Sequence, residues 1–209
     1  MNKIHTLAAA ALIAALGTAS AYAQQPQGQR LSGEIQRVEG NLVFAKSRDG
    51  APLTIKLTDD AVITAVLKAT VADIKPGAYI GSGAVPQADG SQKAVEVHIF
   101  AESMRGQGDG HRPGWYGAPE GTMTNGAVEP SGAVLSQAGG GEPSFMVKYK
   151  EGEKRIFVPA NAHIVRYEAG SKSDVKAGAP FAIQAANKQL DGTFTTQRIN
   201  VGRDGGRPF

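Results

Sequence analysis

Two stretches of this chain, 101 residues apart, share one pattern. "ADIKPGAYIG" covers residues 72–81 and "SDVKAGAPFA" covers 173–182. Asp73 matches Asp174 (174 − 73 = 101), and Ile74–Val175, Lys75–Lys176 and Gly77–Gly178 follow at the same offset. No other feature limits the fold as much, because a chain that repeats such a device is expected to build one supersecondary unit twice. Thr70-x-x-Asp73 and Ser171-x-x-Asp174 each place a hydroxyl at an N-cap and a carboxylate three residues on, a variant of the capping box that starts a helix. Gly77 and Gly178 stand where a helix ends in a left-handed residue, a conformation glycine adopts without steric cost. Each copy should therefore hold one short helical turn, with Ile74 or Val175 directed into a core.

Strand patterns flank the turn in both copies. "LTIKL" (Leu53–Leu57) and "RIFV" (Arg155–Val158) precede it, with Ile55 matching Ile156 at the same offset. "AYIGSGAV" and "PFAIQAA" follow it. The turns Asp89-Gly90 and Asp191-Gly192 then lead into "AVEVHIF" and "TQRINV", where apolar and polar residues alternate with the period of a half-buried strand. "SGEIQRVEGNLVFA" opens the first copy with a hairpin, and "EGTMTNGAVEPSGAVLS" opens the second with Asn125-Gly126 as a tight turn. Three strands, a helical turn and two strands is the order of an OB fold, a small partly open barrel. The expectation is an all-β protein of two tandem small OB-like β-barrels, over residues 31–103 and 119–202. A plain β-sandwich is the alternative, since periodicity does not give strand order.

These motifs carry a resemblance. "LSGEIQRVEGNLV", "VADIKPGAYIGSGA" and "KAVEVHIF" resemble the DUF5666 type of bacterial exported domain across residues 31–103, and the second copy resembles it over 119–202. "GDGHRPGW" followed by "GTMTNGAV" is similar to the linker of two-domain relatives, although Gly114 separates Pro113 from Trp115 here. The shared positions are turn and core residues, so the resemblance implies a fold and no reaction. Some relatives bear a metal-transport permease label, a role that would need spanning helices.

The N-terminus reads as a signal peptide over residues 1–23, cut after Ala23. Lys3 precedes the apolar run Leu7–Leu16, and "AYA" supplies small residues at the cleavage site. The run is too short to cross a bilayer of about 30 Å as a helix, and with no cysteine in the chain lipoprotein processing and disulfides are excluded. The mature protein is expected to be soluble and periplasmic, with a flexible tail at 24–30, a Gly/Pro-rich linker at 104–118 and a frayed tail at 203–209. Removing Lys3 takes the formal charge from +3 to +2 (3 − 1 = 2). No cluster of Lys and Arg offers a nucleic-acid surface, and membrane insertion is not expected.

The search for chemistry returns little. No G-x-S-x-G elbow occurs, and nothing in the spacing of His98, His111 and His163 joins them to a serine and a carboxylate. Glu96 and His98 lie two apart on a strand, so they share a face and could chelate a cation. The other reading is a solvated surface pair, favoured because the second copy has Arg198 and Asn200 there. His163 aligns with Val62 and reads as a strand residue. The linker gathers His111, Arg112, Trp115 and Tyr116. A tryptophan is costly to leave in water, so Trp115 is expected to pack between the barrels, with His111 and Arg112 at the mouth of any ligand site. The functional expectation is a non-catalytic binding or scaffold protein without cofactor, whose partner is a protein or small molecule of the periplasm. The alternative is a metal- or small-ligand-binding accessory to transport.

Overall fold

Alternating apolar residues build a chain of strands, punctuated by turns in which an Asp-Gly or Gly-Asn pair reverses direction. The computed structural model describes residues 28–115, 117–130 and 142–209, and the expected signal peptide lies outside them. Its strands are β1 (Gln29–Glu39), β2 (Leu42–Ser47), β3 (Pro52–Lys68), β4 (Tyr79–Pro86), β5 (Gln92–Phe100) and β6 (Gly110–Pro113). They continue as β7 (Thr122–Val128), β8 (Ser144–Tyr149), β9 (Gly152–Phe157), β10 (His163–Ala169), β11 (Pro180–Lys188) and β12 (Phe194–Arg203). The two expected helical turns are single 3-10 turns at Val71–Asp73 and Lys172–Asp174. In both, the carboxylate accepts the N-cap N–H, at 2.8 Å for Thr70 and 2.8 Å for Ser171. Those bonds, with the N-cap hydroxyls, hold Asp73 and Asp174 below the ordinary carboxyl range.

The pairing does not separate into two consecutive barrels. All twelve strands of the described residues form one continuous sheet, and its strands close into rings that mix the two halves. The first ring runs β1–β2–β3–β12–β11 and back to β1, a closed five-stranded barrel. The other runs β4–β7–β8–β9–β5, closed through Gln92↔Ile156 and Lys93↔Phe157. In each ring three strands come from one half of the chain and two from the other. Two apolar cores follow. Ile35, Val43 and Ile55 meet Phe181, Ile199 and Val201 in the first. Ile80, Val97 and Ile99 meet Phe145, Val147 and Ile156 in the second. The turn apolars are exchanged too: Ile74 enters the second core and Val175 the first.

The exchange is reciprocal. β3 and β10 pair antiparallel about Val66↔Tyr167, residues that are themselves 101 apart (167 − 66 = 101). Beside them Ala69 donates to Ile164 O at 3.1 Å and Gly170 donates to Ile63 O at 2.9 Å, both partners again shifted by 101. Gly77 N–H bonds Val128 O of β7 at 2.9 Å, while Gly178 N–H bonds Ile35 O of β1 at 2.8 Å. The two similar segments thus meet through pairings between matching positions, and each half of the chain supplies strands to the other's ring. Two local expectations change. Asn125-Gly126 is no turn but lies inside β7, paired with Gly81 and Ile80 of β4. The linker is not featureless, because β6 pairs with β7 from Gly110↔Asn125 to Pro113↔Thr122.

Residues 28–103 and 119–209, expressed as separate fragments, are expected to lack a cooperative thermal transition and to regain it on mixing. Circular dichroism melts check this, and a fragment that melts cooperatively alone would show that its ring does not need the exchange. Gly77 and Gly178 have φ of +75° and +80° with open space where a Cβ would stand. Valine at either position should therefore cost roughly 1–2 kcal/mol in denaturant titrations through backbone strain alone.

Candidate functional site between the rings

β5 separates two environments by its alternation. Val97 and Ile99 enter the second core, and Glu96, His98 and Phe100 lie on the opposite face. That face is not solvated. Glu96 is 0% exposed and His98 8%, because β10 pairs along β5 from His163↔Glu96 to Tyr167↔Phe100. The surface reading of this pair is thereby corrected: its second neighbour, β10, is a strand of the other half. His98 Nε2 contacts Glu96 Oε1, and the imidazole stacks on Tyr167 with centroids 4.5 Å apart and planes at 19°. Tyr167 meets Phe100 edge-on at 5.5 Å, and Phe100 meets Tyr79 at 5.6 Å. Burial and the neighbouring Asp109 push the Tyr79 hydroxyl up to about 12.

As a metal site the pair is incomplete. Protein zinc sites use three or four protein ligands, and no group of three or more His, Asp or Glu side chains suited to a metal ion occurs among the described residues. The remaining oxygen, Glu96 Oε2, is buried without a hydrogen-bond partner among them. Structurally, the pair backs the ring of Tyr167.

Tyr167 and Phe100 line a cleft of about 710 Å³, within the range of roughly 300–1,000 Å³ typical of ligand sites. Met104 lines it too. So do Thr64 and Asn200, which sit side by side on β3 and β12 on the outer face of the first ring, Thr64 being two residues along β3 from Val66, the partner of Tyr167. Val62, 52% exposed, and Arg198 stand at the lip. Arg198 is the one charged side chain among the described lining residues.

The linker residues go elsewhere. His111 Nδ1 is 2.8 Å from Thr124 Oγ1 and its ring lies near Tyr149; burial lowers its pKa. Arg112 donates to Gly108 O at 2.8 Å. Tyr116 lies outside the described residues. Trp115 is 4% exposed and stacks on Phe209 at 5.5 Å. It also lies flat on Gly83 of β4, where an added Cβ would collide with its Cε2. The C-terminal segment is held rather than frayed: His163 Nε2 donates to Arg207 O at 2.8 Å and Arg48 to Pro208 O at 3.2 Å. Trp115 thus joins β4 of the second ring to the segment that leaves β12 of the first. His111 and Arg112 do not line the cleft, and the residues that do were outside the sequence expectation. Their signal was the outward aromatic pattern His98-x-Phe100 on β5.

Comparison with protein-family models, with curated proteins and with solved structures finds no match.

Native Trp115 fluorescence, the signal of the sole tryptophan, is expected to be blue-shifted and poorly quenched by iodide. Gly83→Ala should shift it to the red and lower the melting temperature. Unchanged emission in that variant would contradict the packing.

Proposed function

We propose that this chain is a non-catalytic binding protein of the periplasm whose ligand site is the cleft between the two rings. One observation carries the reading: a ligand-sized cleft whose lining combines the aromatic side chains Tyr167 and Phe100 with amide- and hydroxyl-bearing residues of β3, β11 and β12. Its described lining holds no carboxylate and no histidine, so general acid–base work there has little to draw on, which favours binding over catalysis. We read the rings as OB-like barrels that arose by duplication and exchanged their last two strands. In each, the order first–second–third–fifth–fourth, with a parallel third–fifth pairing, is that of the OB fold. The resemblance to DUF5666-type exported domains is compatible with such a barrel. A metal-binding accessory role would rest on Glu96 and His98, and two fully covered donors give it less support.

The test is native purification of the mature protein followed by mass spectrometry of what it retains. The parent protein is expected to carry a ligand that Thr64→Trp, inside the cleft, and Val62→Trp, at its exposed lip, both lose. Equal retention by both variants would place the site elsewhere.

A further inference from the structure

Beyond β12 the chain turns back on its own ring. Asp204 and Gly205 have φ of +50° and +78°, and Gly206 N–H closes the turn on Arg203 O at 2.9 Å. Two successive residues of positive φ make a type I′ turn, for which Asp-Gly is well suited. The segment that follows belongs to no strand, yet Gly206 and Pro208 are buried. Gly206 rests on Val66 of β3 and on Gly202 of β12, and a Cβ on either glycine would collide with backbone. Side chains hold the rest, through the hydrogen bonds of His163 and Arg48 to its carbonyls and the stack of Phe209 on Trp115.

This segment also lies between cavities. The cleft shares Ala182 and Gln184 with a neighbouring cavity of about 350 Å³, which Arg48 and Phe209 bound. Arg48 and Phe209 in turn line a groove of about 1390 Å³, together with Glu34 and Lys46. Ser32, Glu34 and Ala182 alternate with the core residues Leu31, Ile35, Phe181 and Ile183, so these cavities follow the outer face of the first ring. We infer that Asp204–Phe209 is a strap that shuts one end of the cleft in cis against an elongated ligand; this rests on the cleft being the ligand site. With the strap down, the cleft ends against Phe209 and Arg48. With the strap swung out on its Asp-Gly turn, cleft and groove run on as one channel across β11 and β1. A segment outside every strand ladder opens at lower free energy than the sheet beneath it. A ligand that runs past Phe209 binds the open form and, by linkage, favours opening.

Hydrogen exchange of the mature protein, followed by mass spectrometry, reads opening directly. Amides of residues 205–209 are expected to exchange about a hundredfold faster than those of β11 and β12. Exchange as slow as in those strands overturns the strap. A variant ending at Asp204 is expected to bind the peptide Gly-Gly-Arg-Pro-Phe and to recover the blue-shifted Trp115 emission on binding. The parent protein, whose site is filled in cis, should bind that peptide far more weakly. A cooperatively melting variant that ignores the peptide overturns the proposal, and exchange on the parent decides should the variant not fold. Gating is read by native purification: the shortened variant is expected to retain several-fold more ligand than the parent, and equal retention overturns it. Adding Thr64→Trp should remove that gain. A gain that persists in that background places the ligand outside the cleft and overturns the cleft reading alone.

Discussion

Everything in this molecule depends on the crossing of β3 and β10. β3 is 17 residues long. Its first part closes the first ring beside β2, and its last five residues, Thr64–Lys68, pair with β10. β10 in turn runs along β5, so the crossing ties both rings together at Val66 and Tyr167. The exchange demands little in chain entropy. Closing β3 onto β5 locally would span 24 positions (92 − 68), and closing it onto β12 spans 126 (194 − 68). Loop entropy grows only with the logarithm of length, so the longer route costs roughly 1–2 kcal/mol more. A few backbone hydrogen bonds at the crossing, each worth about 1 kcal/mol net, are enough to offset that.

What was legible in the sequence was local. The capping carboxylates Asp73 and Asp174 and the stop glycines act within four residues of one another, and the chain spells them out. Trp115 was legible too, because the cost of an exposed indole does not depend on where cover comes from. The exchange was not legible. Alternation tells which face of β5 or β12 is apolar, but not which half of the chain supplies the core behind it. Every position of Ile199 or Val97 would read the same in a ring closed within its own half.

The misread pair Glu96–His98 has the same cause. Polar residues alternating with apolar ones mark the face away from a core, and that much held. Cover on that face came from β10, brought there by the crossing, and from Trp115 lying on Gly83, opposite Glu96 in β4. Glycine and proline in the linker hid this, since they read as loop while Gly110–Pro113 pairs as β6. Pro159 has a comparable effect. It removes a backbone donor just where the second copy parts into β9 and β10, although the matching stretch of the first copy runs unbroken as β3.

The two similar segments keep their turns and differ on the faces that come together where β3 and β10 pair. Glu96, His98 and Phe100 correspond to Arg198, Asn200 and Gly202 at an offset of 102 (198 − 96 = 102), and Tyr167 corresponds to Val66 at 101. Two matching aromatic faces would close on each other, since burying their rings is favourable, and two amide faces would gain little by contact. With one of each, the two faces stay distinct. Glu96, at one end of the aromatic face, lies opposite Gly83 and the Trp115 ring that covers it, and at the other end Phe100 and Tyr167 line the same cleft as Thr64 and Asn200. The proposed site therefore falls where the two similar segments differ most.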